Sequence, residues 1–140
     1  MYAVKADMTT RFGEEELILL TDHDADAGVI NDAVLDQALA DASAEIDGYL
    51  GGRYTLPLPT IPAVLTRISC DIARYLLHDE HAPERIEKRY DGAVSFLTKL
   101  GNGSISLGMP DEGAASPSNN TAQISSAGSV FGRQNSQDFI

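Results

Sequence analysis

The sequence predicts an all-α fold: a small helical bundle of about four to five helices with an extended C-terminal arm. Three observations carry this. Apolar residues recur at steps of three and four in three separate segments, the period of one helix face. Each segment is bounded by Asn, Asp, Gly or Pro, the residues that start and stop helices. After Gly101 the composition shifts abruptly to Gly, Ser, Asn and Pro. At 140 residues the chain amounts to one ordinary domain, which we divide into a helical domain over 1–101 and an arm over 102–140 that orders on assembly.

Taken in order, Asp7-Met8-Thr9-Thr10 reads as a capping stretch for a short first helix, and Gly13 divides it from a second. Glu14-Glu15-Glu16 places acids in the first turn of that second helix, where its dipole favours them. A polar loop over 22–28 follows. Asn31 or Asp32 caps the clearest helix, whose stripe Leu35, Leu39, Ala42, Ile46 and Tyr49/Leu50 runs to about Leu50. Gly51-Gly52 is expected to end it through left-handed geometry. Arg53 to Pro62 holds three prolines, each forcing extended backbone on its predecessor, so the segment is a stiff connector. Pro62 opens a helix with the stripe Leu65, Ile68, Ile72 and Tyr75/Leu76, ending near His78. Pro83 opens the last one, with Ile86, Tyr90, Val94, Leu97 and Leu100, stopped by Gly101-Asn102-Gly103. In the Ser- and Asn-rich stretch beyond, only Ser104-Ile105-Ser106-Leu107 is patterned; such a composition buries too little apolar area to offset its ordering entropy. Large apolar residues return at Val130-Phe131-Gly132-Arg133 and Asp138-Phe139-Ile140, so the arm ends in sticky segments suited to docking.

Composition narrows the function. A hydrophobic content of 43% supports one core, aliphatic in character because aromatics are only 6%. No run of 18 apolar residues marks a membrane helix, and Met1 to Asp7 lacks the apolar stretch of a signal peptide, which leads us to expect cytosolic synthesis. The net charge of −11 is ill-suited to gripping nucleic acid, whose binding rests on Lys and Arg displacing counterions. It suits solubility, or a wall past which DNA slides without sticking.

Chemical sites are few. Cys70 lies among apolar residues at helical spacing and reads as a packing residue rather than a thiolate nucleophile. Asp22, Asp24 and Asp26 meet the first three positions of a calcium loop, but Ala27 and Ala33 stand where its glycine and bidentate glutamate belong; the loop reads as a solvated acidic one. His78 and His81 lack a third metal ligand and read as helix-end residues facing the dipole. No phosphate loop, nucleophile elbow or zinc motif is present. The expectation is therefore no catalytic residue, no cofactor and no metal.

The most distinctive stretch is Ile46-Asp47-Gly48-Tyr49-Leu50-Gly51-Gly52-Arg53-Tyr54-Thr55-Leu56-Pro57-Leu58. It resembles the Mu-like phage head–tail connector (neck adaptor) family. Arg11-Phe12-Gly13-Glu14, Asp71-Ile72-Ala73-Arg74-Tyr75-Leu76-Leu77 and Arg89-Tyr90 with Ala93 and Leu97 resemble that family's further segments, in matching order, with Phe131-Gly132-Arg133 and Phe139 similar to its C-terminal signature. The resemblance implies a structural virion protein of the neck, made in the host cytoplasm. About twelve copies would close a ring under the portal protein, extend the DNA channel and meet the next neck or tail-completion protein. DNA would pass through without specific binding. On this view Tyr49, Arg53, Tyr54, Leu56 and Leu58 supply ring contacts, while Phe131, Arg133, Phe139 and Ile140 dock on the portal or a neighbour. Tyr49, Arg53 and Tyr54 could equally pack the turn between helices. A free-standing acidic helical binding or regulatory module of a prophage or bacterial host is the alternative, and a small hydrolase a distant third.

Overall fold

A computed structural model describes residues 1–23 and 27–108. Five α-helices and one short 3₁₀ turn account for the regular structure of the described residues: α1 (Lys5–Phe12), α2 (Glu14–Thr21), α3 (Asp32–Leu50), α4 (Ala63–His78), the turn Asp79–His81, and α5 (Glu84–Asn102). The described residues contain no strand, so the all-α expectation holds. Helices α3, α4 and α5 pack on one another around an aliphatic core, and the α1–α2 hairpin leans on α3 and α4.

Local rules explain most of the boundaries. The Asn31 side chain accepts from Ala33 N and Val34 N at 3.1 and 3.3 Å, which caps α3. Pro62 and Pro83 stand at the N-cap positions of α4 and α5 with extended backbone, one residue before the place the sequence suggests. Gly13 adopts φ +90° and lets α1 turn into α2. Thr21, fully buried, donates to Leu17 O at 2.7 Å and accepts from Asn31 N at 2.9 Å, which fastens the end of α2 to the start of α3.

Three expectations require correction. First, α1 starts at Lys5, and Asp7 is not its cap; Asp7 sits in the first turn and accepts from Val4 N at 2.9 Å. Second, Gly51 keeps right-handed backbone (φ −60°). The chain leaves α3 through successive tight bonds, Arg53 N and Tyr54 N both donating to Leu50 O at 2.9 Å, so no left-handed residue is needed. Third, packing continues past Gly101: α5 runs to Asn102, Gly103 supplies the left-handed exit at φ +90°, and Ile105 and Leu107 turn back onto the core. Their alternation with serines gives two apolar side chains on one side of the chain, enough to hold this short return.

The α3 stripe is inside as expected, with Leu35, Leu39, Ala42, Ile46 and Leu50 buried; of the α5 stripe Ile86, Leu97 and Leu100 are buried, Tyr90 and Val94 are half-buried, and Ala93 is buried in place of Val94. Helix α4 buries Leu65, Ile68 and Ile72 of its expected stripe, and more besides. Every residue from Ile68 to Arg74 is buried, because α3, α5, α1 and α2 surround it. Gly101 is where α5 approaches α3 most tightly: a Cβ there would stand 2.8 Å from the Tyr49 carbonyl oxygen. Backbone cannot swing aside as a side-chain end would. Gly101→Ala should therefore destabilise the fold by about 1–3 kcal/mol despite alanine's better helix propensity. A lowered urea midpoint with an unchanged slope would show it; an unchanged or raised midpoint would refute it.

Candidate functional site

Two features rise above ordinary packing, and the first is the connector between α3 and α4. Arg53 reaches from it to the end of α5 and donates from Nη1 to Leu100 O at 2.6 Å and Ile105 O at 2.9 Å. It thus satisfies carbonyls that a helix end leaves without intrahelical partners. Its guanidinium lies 5.2 Å from the Tyr54 ring centroid. Tyr54 is buried, and its hydroxyl accepts from Leu107 N at 3.2 Å. The connector and the residues after α5 are thereby laced into one unit.

This fixes where the expected contact residues stand. Tyr54 and Leu58 are only 4% and 8% exposed, so they serve the protomer's own core. Tyr49, Arg53 and Leu56 are half-buried and keep part of their surface outward. Leu56 and Leu58 also line, with Met1, Tyr2, Asp47 and Ile61, a recess of about 290 Å³. Phe131, Arg133, Phe139 and Ile140 lie outside the described residues, as do Asp24 and Asp26 of the acidic loop. Asp22 of that loop accepts from Gly28 N at 2.9 Å and closes the turn.

The second feature is a charge network where α1 and α2 meet α4. Arg74 donates to both carboxylate oxygens of Glu16, at 2.6 and 2.9 Å, with its guanidinium carbon 4.2 Å from the Phe12 ring centroid. Asp71, also buried, faces Arg67 at 3.4 Å and Arg89 at 3.5 Å. Burial raises its carboxyl above the ordinary range, against the opposing pull of Arg89, Arg67, Arg74 and Arg11. On the α3–α5 side, Tyr90 stacks on Tyr75 at 4.1 Å and donates to Glu45 at 2.9 Å. Burial, then Glu45, pushes the Tyr90 phenol up to about 12. Sequence reading missed these partners because Glu16 and Arg74 are 58 residues apart; the available signal was two charges, Asp71 and Arg74, inside an otherwise apolar run.

The chemistry of these groups is structural. The Cys70 thiol is buried, and desolvation raises it to about 11 despite the Arg11 charge, so its thiolate is suppressed. Burial lowers the His78 imidazole's pKa and leaves its Nε2 enclosed without a hydrogen-bond partner. His78 stands in the last turn of α4, at the helix end where the sequence places it. Among the described residues, no three His, Cys, Asp or Glu side chains converge on a metal position, and no helix is long and apolar enough to cross a membrane.

Charge is segregated along the chain. Residues 13–50 carry eleven acids and no Lys or Arg, whereas the rest carries ten of each sign, so α2, α3 and the loop between them hold the whole net charge. Asp36, Asp41 and Asp47 line the exposed side of α3.

The family described as "Bacteriophage Mu, Gp36" matches residues 2–126. The chain belongs to the phage Mu Gp36 family. It is similar to the Mu-like prophage FluMu protein gp36 of Haemophilus influenzae, 47% identical over 115 residues and covering 82% of each chain. It is also similar to Gene product J of Escherichia phage Mu, 37% identical over 134 residues and covering 95% of each. As a Gp36-family chain it is a Mu-like phage protein, and the ordered segments read from the sequence up to Leu97 all fall within the matched region.

The charge network generates two predictions. Glu16→Gln strands the more deeply buried charge, Arg74, and should cost about 2 kcal/mol, whereas Arg74→Met removes that charge outright and should cost less. Chemical denaturation of both variants decides it; a milder Glu16→Gln would contradict the assignment. For Asp71 the folded carboxyl titrates above its unfolded value of 3.8. The unfolded chain then gives up this proton first, so wild-type stability falls relative to Asp71→Asn as pH rises from below 3.8 through the raised value. Parallel stability–pH curves for the two proteins would count against it.

Proposed function

We propose that this chain is a structural, non-enzymatic virion protein: a head–tail connector subunit of the neck. About twelve copies form a closed ring under the portal. The ring extends the DNA channel and presents a surface to the next neck or tail-completion protein. The observation that carries this reading is membership of the phage Mu Gp36 family across residues 2–126, in a compact helical protomer.

The geometry supports it in three ways. A ring subunit must be stiff, and the Arg53 clamp joins connector, α5 and the following residues. A closing head-to-tail ring needs contact surfaces of about 800 Å² on each side, for which the outward parts of Tyr49, Arg53 and Leu56 and the recess beside them offer a starting patch. An acid-only stretch over 13–50 suits a wall that must let DNA pass, since like charges repel it. Phe131, Arg133, Phe139 and Ile140 act in docking to the portal or an adjacent subunit. Assembly takes place in the host cytoplasm and the finished ring resides in the virion neck, with no cofactor or metal required.

Deleting the gene from its prophage, inducing, and viewing the lysate by electron microscopy tests the reading. Separate tails beside heads that have lost DNA are expected. Normal joined virions would overturn the connector role in favour of a free-standing acidic binding module.

A further inference from the structure

An open groove of about 450 Å³ lies between the first half of α3 and the end of α4. Its floor is apolar, with Val34, Ala38, Leu76 and Leu77, and Asp41 and Asp79 stand at its rim, both exposed. Neither the charge network nor the connector uses it. A fitting occupant needs a large apolar side chain for the floor and a positive charge for the rim.

Residues 109–140 offer that combination once. Arg133 is their only Lys or Arg, and it stands two residues from Phe131. In an extended chain, residues i and i+2 project from the same side, about 7 Å apart, so Phe131 can enter the floor while Arg133 meets the rim. The other apolar segment, Phe139-Ile140, follows Asp138 and would bring a like charge to Asp41 and Asp79. Reach is not limiting: the residues between Gly108 and Phe131 span up to about 75 Å, against about 28 Å for the length of α3. We infer that the groove between α3 and α4 is the seat of the Val130–Arg133 segment of the same chain.

The inference deepens the docking role proposed for the C-terminal residues and assigns Phe131 a seat on the helical domain, leaving Phe139 and Ile140 for the portal. The test uses the full chain with Phe131→p-benzoylphenylalanine, irradiated and mapped by mass spectrometry. Cross-links should fall on Val34, Ala38, Leu76 or Leu77 of the same chain; in a mixture of isotopically labelled and unlabelled chain, cross-links between copies would overturn the assignment. Arg133→Glu should lower the yield about fivefold, and adding Asp41→Arg with Asp79→Arg should restore it. Cross-links concentrated outside the groove, a yield indifferent to Arg133→Glu, or no recovery in the charge-swapped chain would each overturn it. The outcome is separable from the connector reading, because cross-linking is read on free protein and the neck role on particles from the deletion.

Discussion

The domain is arranged around the middle of α4, where every residue from Ile68 to Arg74 is buried among four neighbouring helices. Asp71 and Arg74 there cannot be turned to water, and each buried charge must find a partner or carry a desolvation cost of several kcal/mol. That constraint explains why the α1–α2 hairpin sits where it does. Glu16 and Phe12 come from that hairpin, and together they enclose the Arg74 guanidinium from two directions. Asp71 is less well served: its arginines stand at 3.4 and 3.5 Å and are themselves about half exposed, which is why burial wins and the carboxyl is raised. The network therefore specifies how the hairpin docks more than it stabilises the fold, since an apolar replacement of similar shape could pack as well.

The second organising contact is Arg53. A helix end and a proline-rich connector are both poor in internal hydrogen bonds, and here each is held to the core chiefly by a few apolar side chains, among them Tyr54, Leu58 and Leu100. A single guanidinium bonded to Leu100 O and Ile105 O joins them, with Tyr54 completing the lacing through Leu107 N. Arg53 keeps part of its surface outward, so it links the packed interior to whatever meets the connector. Both bonds leave the same nitrogen, Nη1, while the planar guanidinium also lies over the Tyr54 ring, a contact that a lysine ammonium makes less well.

Local chemistry was largely legible in the sequence. The stripes of α3 and α5, the Asn31 cap, the Gly13 division and the prolines before α4 and α5 all follow from rules that act over a few residues, and the structure places them within a residue of expectation. What eluded reading is partly local detail and partly the number of neighbours an element meets. The start of α1 is set by Asp7 reaching backward to Val4, whose own side chain offers no cap. Gly51 suggested a left-handed stop, yet continued right-handed turning to Tyr54 sufficed. The stripe of α4 understated its burial because a period describes one face, whereas enclosure depends on how many neighbours arrive. Of the residues singled out for contact, Tyr54 and Leu58 prove to be core; no one-dimensional pattern separates a tyrosine that packs a turn from one that meets a partner.

Charge segregation sets a final constraint on assembly. In the ring proposed above, subunits each carrying −11 would repel one another, and 0.1 M salt screens that repulsion only beyond about 10 Å. Subunits can close only if their contacts avoid the acidic side of α3 and α2, or bring cations to it. Lys5 on α1 is ion-paired with Asp32 of the acid-only stretch and Arg11 is exposed on the same helix, whereas the other exposed bases of the helices lie on α4 and α5, at Arg67, Arg85, Lys88, Arg89 and Lys99. Several of them stand beside acids of their own, as Lys88 does with Glu84, so that side is close to neutral rather than basic. In the proposed ring, that near-neutral flank is where copies would approach one another at least electrostatic cost, leaving the acid-only face for solvent or for the channel. The same separation of faces gives a reason for placing an arginine near an aromatic residue beyond the helical domain: it is the means by which a chain so acidic can engage its own acid-rimmed groove.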